Sequence, residues 1–180
     1  MGKGWVFIFS VLISSFSFAQ PTYTPVDAGS KVHFTIKNFA IKTGGDFTGL
    51  RGTVKFNPSK IFDASFDVSI DAATIDTESE MRDEHLKEEE YFDVLKFPMI
   101  SIKSTRVTTS SNPGRFYMFA NLTIKGITHP IEFGFSATPK EGGYFFDGEF
   151  TINRLDYKVG DKSISLQDKV TVSLKVFAKK

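Results

Sequence analysis

Three histidines, His33, His85 and His129, are the only side chains of this 180-residue chain that titrate near neutral pH in their unperturbed state, and they lie far apart. None has the paired spacing, such as H-E-x-x-H, that sets two imidazoles on one helix face to hold zinc. By strand phase His33 points outward, whereas His129 shares an inward face with Ile127 and Ile131, the setting of a hydrogen-bonded core histidine. His85 stands beside Asp83 and Glu84, the arrangement an envelope hydrolase or isomerase would recruit for acid–base work. The acidic run from Asp76 to Asp93, with Glu78, Glu80, Glu88, Glu89 and Glu90 in it, has the ligand type that Ca²⁺ prefers. It lacks the D-x-[DN]-x-[DN]-G loop, and helical spacing spreads its charges around the cylinder, so it reads as a solvated face. G-x-S-x-G, P-loop and G-x-G-x-x-G motifs are absent. With no cysteine there is no disulfide, thiolate metal site, cysteine nucleophile or lipid-modified cysteine. No catalytic residue, metal site or cofactor is assigned.

Charge and composition narrow the field further. Lys and Arg number 22 against 21 Asp and Glu, which removes the simplest electrostatic argument for nucleic acid or an anionic membrane surface. The unusual entry is 20 phenylalanines, against five tyrosines and one tryptophan. Residues 1–19 have the layout of a cleaved secretory signal: a positive start at Lys3, an uncharged apolar stretch, and small residues at Ser17 and Ala19. The mature domain is then 20–180, placed in the periplasm or secreted, with no transmembrane segment. Four of the phenylalanines belong to that leader.

The rest of the chain alternates. Phe62 to Ala72 places Phe, Ala, Phe, Val, Ile and Ala on one face and Asp and Ser on the other. Such a strand has one buried and one wet face. The pattern recurs at Val32–Ile36, Leu50–Phe56, Ile100–Ile102, Phe116–Ile124, Ile127–Phe135, Phe146–Ile152 and Val170–Val176. Gly44-Gly45, Asn57-Pro58, Asn112-Pro113-Gly114 and Gly142-Gly143 punctuate it as turns. About eight antiparallel strands joined by short turns predict an all-β, lipocalin-like up-and-down barrel, favoured over a Greek-key sandwich. One short helix interrupts the meander over Thr77 to Tyr91, with Thr77-Glu78-Ser79-Glu80 as a capping box and Met81, His85 and Leu86 at helical spacing. It is placed where a lid would sit.

Several separated segments carry a family resemblance. They are Gly45-Asp46-Phe47-Thr48-Gly49-Leu50-Arg51-Gly52, Arg82-Asp83-Glu84-His85-Leu86 with Tyr91-Phe92-Asp93 and Phe97-Pro98, Leu122-Thr123-Ile124-Lys125-Gly126-Ile127-Thr128 with Pro130, Asn153-Arg154-Leu155-Asp156-Tyr157, and Ser165-Leu166-Gln167-Asp168. In this order they resemble the YceI family of secreted, lipocalin-like, polyisoprenoid-binding proteins across essentially the whole mature chain. Asn38 departs from the pattern, because the family often has a histidine after the first strand. The resemblance implies a barrel with a long cavity for a polyisoprenoid, a quinone-like molecule or a fatty lipid, carried or stored without an established catalytic site.

Phase then selects the residues expected to line such a cavity: Phe34, Ile36, Phe47, Phe66, Val68, Ile70, Ile100, Ile102, Met118, Leu122, Phe133, Phe135, Phe150 and Ile152. Arg51, Arg82, His85 and Arg154 are the candidates for a polar head group, which must stay near the mouth because an unpaired buried phosphate is prohibitive. The expected partner is an amphiphilic lipid; a homodimer is left open. Two other functions stay open as well: the hydrolase or isomerase built on His85, and a barrel filled by its own phenylalanines that serves as an interaction module.

Overall fold

The computed structural model describes residues 20–180, so the leader reading and its four phenylalanines fall outside the described residues. Nine strands form one antiparallel sheet: β1 (Thr22–Asn38), β2 (Ile41–Phe47), β3 (Arg51–Lys55), β4 (Ser65–Asp71), β5 (Met99–Thr109), β6 (Arg115–Ile124), β7 (Ile127–Lys140), β8 (Gly143–Asn153) and β9 (Leu166–Lys179). From β3 to β9 each strand pairs with the next, and β9 returns to β1 to close the barrel. Closure pairs the long strands around the barrel, while β2, bridged on its outer side only between Asp46 and Asp76, keeps a short edge.

The ninth strand does not add a ninth stave. One side of β1 pairs with β2 over Val32–Asn38 and with β3 at Thr22 and Tyr23. β2 and β3 therefore run end to end as one broken stave. The Asp27 carboxylate bridges the break by accepting from the Gly49 and Leu50 amides at 3.1 and 3.0 Å. At Gly52 the backbone has φ +118°, and a Cβ there would lie 2.1 Å from the Asp67 carbonyl, so only glycine fits. Eight staves fit a barrel whose interior holds side chains or one small ligand.

Inward positions meet in register around the barrel. Val68 lies opposite Ile102, Ile102 opposite Leu122, Met118 opposite Phe133, and Phe150 opposite Val172. A one-residue slip would turn each of these to solvent, which fixes the pairing.

Three local readings need correction. Gly44-Gly45 is not a turn but the middle of β2, where glycine is needed because a Cβ at Gly45 would sit 2.8 Å from the Phe34 ring. The alternating run from Phe62 does not begin a strand there: Pro58–Asp63 is a 3₁₀ segment, Phe62 is 81% exposed, and β4 starts at Ser65. The helix is shorter than the capping box implied. Helix α1 spans Glu80–Lys87 with Ser79 at its N-cap and no side-chain cap bond. Thr77 lies outside it, its hydroxyl donating to the Asp83 carboxylate at 2.5 Å.

The two ends of the barrel differ. At the lower end Phe56 is fully buried, with its ring centroid 5.1–5.3 Å from those of Phe116, Tyr144 and Phe146 in edge-to-face contacts. These rings, with Phe66 and Phe135 against them, make a plug. At the upper end lie the β1–β2 turn, the insertion between β4 and β5 that carries α1, the β6–β7 turn, and the segment between β8 and β9.

Candidate ligand-binding cavity

Above the aromatic plug the barrel is hollow, with a cavity of about 650 Å³. All fourteen residues selected by phase, from Phe34 on β1 to Ile152 on β8, line it. So do Val170, Val172, Leu174 and Val176 of β9 and Phe146 of β8, which the same alternation marks as inward but which were not assigned to the lining. Leu86, Tyr91 and Phe92 close over the top from the insertion. Two buried clusters form the wall, a large one around the plug and a smaller one of Val32, Phe47, Ile70 and Ile75; Ile100, Phe92 and Leu174 pack against both. A cavity this apolar keeps few ordered waters, so its surface gains by taking up hydrocarbon.

Polar groups gather at the upper rim. Arg82 projects from α1 into the rim and is held by Thr77: Nε donates to the Thr77 hydroxyl at 2.7 Å and Nη2 to the Thr77 carbonyl at 2.5 Å. His85 also reaches the rim, with Nε2 3.8 Å from the Glu90 carboxylate and its ring edge-on to Tyr91 at 4.9 Å. The two carboxylates expected to serve His85 are engaged elsewhere. Asp83 accepts from Thr77, and Glu84 accepts from Lys87 at 2.7 Å. His85 is therefore not paired with Asp83 or Glu84, and the carboxylate beside it is that of Glu90.

Arg51 and Arg154 are not free rim cations. Arg51 faces outward, one residue out of phase with the inward stripe of β3, and lies 3.7 Å from Asp71. Arg154 touches the cavity but is 4% exposed. Its guanidinium donates to the carbonyls of Gln167 at 3.2 Å, Val159 at 2.9 Å and Asp161 at 2.7 Å, and to the Asp168 carboxylate at 3.4 Å. Of five N–H groups, most are thus used to fold the segment between β8 and β9 into the rim. Lys125, in the β6–β7 turn, holds the same region from outside: its ammonium donates to the carbonyls of Glu89 and Lys158 at 2.6 and 2.9 Å. His33 pairs with Asp46 at 2.7 Å across β1 and β2, and His129 meets the Asp156 carbonyl at 3.1 Å, so neither pairs with His85. Among the described residues no group of three or more His, Asp or Glu side chains is gathered for a metal ion.

Tyr157, buried under His129 beside this rim, carries a pH dependence. Burial first, and the Asp156 carboxylate second, push its hydroxyl from 10.0 up to about 12. The folded value exceeds the unfolded one, so the stabilisation is whole below the unfolded value and is lost as pH rises through the folded one. Alkaline unfolding is expected within that window, and Tyr157→Phe is expected to flatten it. Circular dichroism across the same pH range measures both; an unchanged profile in the variant would contradict the assignment.

The family model described as YceI-like domain matches residues 23–178. The chain belongs to the YceI family. Related sequences include a UPF0312 protein of Shewanella denitrificans, 26% identical over 105 residues that make up 58% of this chain and 54% of the relative. Another, from Vibrio parahaemolyticus, is 30% identical over 87 residues, 48% of this chain and 46% of the relative. The matched segment thus spans about half the length of these curated relatives. Among solved structures, Burkholderia cenocepacia BcnA superposes with a TM-score of 0.80 at 25% identity, covering 86% of this chain and 99% of that one. A polyisoprenoid-binding domain from Saccharophagus degradans, implicated in plant cell wall breakdown, superposes at 0.65 with 12% identity, covering 89% and 98%.

Membership explains which parts of this YceI-family cavity were legible. The lining strands repeat every second residue, and the sequence displays that period directly. Thr77, Tyr91, Val159, Asp161, Lys162, Ser163 and Ser165 line the cavity from irregular backbone, where no period exists to mark them. The Asn153–Tyr157 motif is the signal the sequence offers for that region.

Proposed function

We propose that this YceI-family protein is an exported carrier or reservoir that holds the tail of a polyisoprenoid or similar long-chain amphiphile inside the barrel. One observation carries the reading: the cavity is lined predominantly by apolar side chains, stopped at the lower end by aromatic rings, and has most of its polar lining at the upper rim. A tail entering from above finds a dry blind tube, and its head group remains where Arg82 and His85 stand. At about 30 Å³ per water-sized group, the space accepts on the order of twenty such groups. Burial at ~0.8 kcal/mol per methylene, less the cost of association, supports micromolar binding. The shared fold with the Saccharophagus polyisoprenoid-binding domain is consistent with this, as are the leader-like first residues and the absence of cysteine.

The test is native mass spectrometry of protein taken from cells, followed by titration of stripped protein with a prenyl alcohol. A lipid-sized adduct, or uptake of the alcohol, is expected; clean apoprotein that takes up nothing sinks the reading. Val172→Trp places an indole into the empty space from β9. It is expected to keep the fold, and displacing even two methylenes weakens binding by about tenfold. Unchanged affinity in that variant would put the tail somewhere other than this cavity.

A further inference from the structure

The crest of the barrel is built against its own stability. β1 and β2 are joined by a two-residue turn, Phe39–Ala40, between paired Asn38 and Ile41. Phe39 has φ +53°, a conformation that hairpin turns normally assign to glycine, asparagine or aspartate and that strains a bulky side chain. Phe39 is nonetheless 72% exposed, so no packing compensates the strain. Ile41, on the cavity side of the same turn, is 70% exposed. Ile164 adds a third apolar side chain, fully exposed, on the segment that leads into β9. The Phe39 amide donates to the Ser165 carbonyl at 2.6 Å, which fixes that segment beside the turn. Asn38, Thr43 and Ser165, immediately below, line the cavity mouth.

Charge separates along the same crest. Lys37 and Lys42 face each other directly across the hairpin, an arrangement unfavourable unless an anion lies between or over them. Both are exposed and neither has an ion-pair partner among the described residues. Lys162 adds a third exposed cation on the neighbouring segment, next to a single acid, Asp161. The carboxylates of the upper end are concentrated on and just after α1 instead, at Glu80, Asp83, Glu84, Glu88, Glu89 and Glu90, of which Glu90 reaches the mouth from the insertion rather than from the strand pair that carries Lys37 and Lys42.

We propose that this crest docks the mouth of the barrel onto an anionic lipid bilayer, with Phe39, Ile41 and Ile164 entering the interface and Lys37, Lys42 and Lys162 meeting the lipid phosphates. The inference builds on the carrier reading, because a lipid surface is favoured over a protein partner by the apolar cavity that opens at this spot. A tail then passes between bilayer and barrel without crossing water. Interfacial binding of this kind combines buried apolar side chains with basic residues, and salt weakens its electrostatic share.

Vesicle flotation tests it, using equal parts phosphatidylcholine and phosphatidylglycerol, with phosphatidylcholine alone as control. The wild type is expected to float with anionic vesicles at low salt and less so at high salt. Each apolar side chain of this size contributes about tenfold to partition, so the Phe39→Gly, Ile41→Ser, Ile164→Ser triple variant is expected to stay behind. Phe39→Gly alone supplies the contrast. It is expected to raise the melting temperature by relieving strain while lowering partition, whereas a merely structural Phe39 would lose stability. Failure of the wild type to float, partition of the triple variant equal to wild type, or binding of this crest only to a protein overturns the proposal. Uptake of a prenyl alcohol measured without vesicles keeps the two readings apart. Flotation without uptake leaves the docking intact and removes the carrier, and uptake without flotation does the reverse.

Discussion

Phe56→Ala is expected to lower the unfolding free energy by about 3–5 kcal/mol, the range for deleting a fully buried phenylalanine. Phe56 follows β3 at the lower end and is surrounded by Phe66, Phe116, Phe135, Tyr144 and Phe146, with ring centroids 5.1–6.5 Å away. Losing it empties a volume that five aromatic neighbours cannot close, because they are held on four separate strands. Edge-to-face contacts add about 0.5–1.5 kcal/mol beyond area alone, which places the loss in the upper part of the range. Urea unfolding monitored by circular dichroism measures it. Phe62→Ala is the internal control: on an 81% exposed side chain it is expected to stay within about 0.5 kcal/mol. A Phe56 variant as mild as the Phe62 variant would mean that the plug is not the foundation of the blind tube.

That contrast shows what alternation can and cannot say. Phe62 and Phe66 sit in phase in the sequence, yet only Phe66 is inside. Pro58 lacks the amide that a ladder needs, and with Asn57 capping the turn it holds Pro58–Asp63 in a 3₁₀ segment that swings Phe62 out. Where strands run uninterrupted, as in β6 and β8, the inward face was legible residue by residue, because a strand has only two faces and one is buried. β2 escaped notice for the opposite reason. Its Gly44-Gly45 pair has the composition of a turn, while the need for glycine comes from Phe34 and Asp76 crowding it from other parts of the chain. Composition reports local preference, and this requirement is tertiary. The helix boundary failed similarly: Ser79 takes the N-cap because Thr77 is drawn into the Asp83 and Arg82 contacts.

Arg154 is where these lines meet, since sequence assigned it to a head group and the structure gives its donors to the chain. Arg154→Met is expected to destabilise the barrel by about 3 kcal/mol, because it takes a charged donor from the buried Val159 carbonyl and from the half-buried carbonyls of Asp161 and Gln167. Val159 and the neighbouring backbone are themselves buried, so water replaces the lost donors poorly. Arg154→Lys is expected to recover under half of the loss. One ammonium on a flexible stem cannot reach the carbonyls of Val159, Asp161 and Gln167 together, which the planar guanidinium spans. Hydrogen exchange should localise the effect to residues 158–168, with the β-strand amides protected as before. The same loosening widens the rim, so dissociation of a bound prenyl tail is expected to accelerate. The comparison between a prenyl alcohol and a prenyl phosphate then separates the two roles of this arginine. An arginine that only folds the rim speeds both ligands equally when replaced, whereas one that meets the head group penalises the phosphate far more. Equal acceleration is the expected result, because the cation's reach is already taken up by Asp168 and the three carbonyls. It would leave Arg82, with Nη1 not engaged by Thr77, as the guanidinium available to a head group at the mouth.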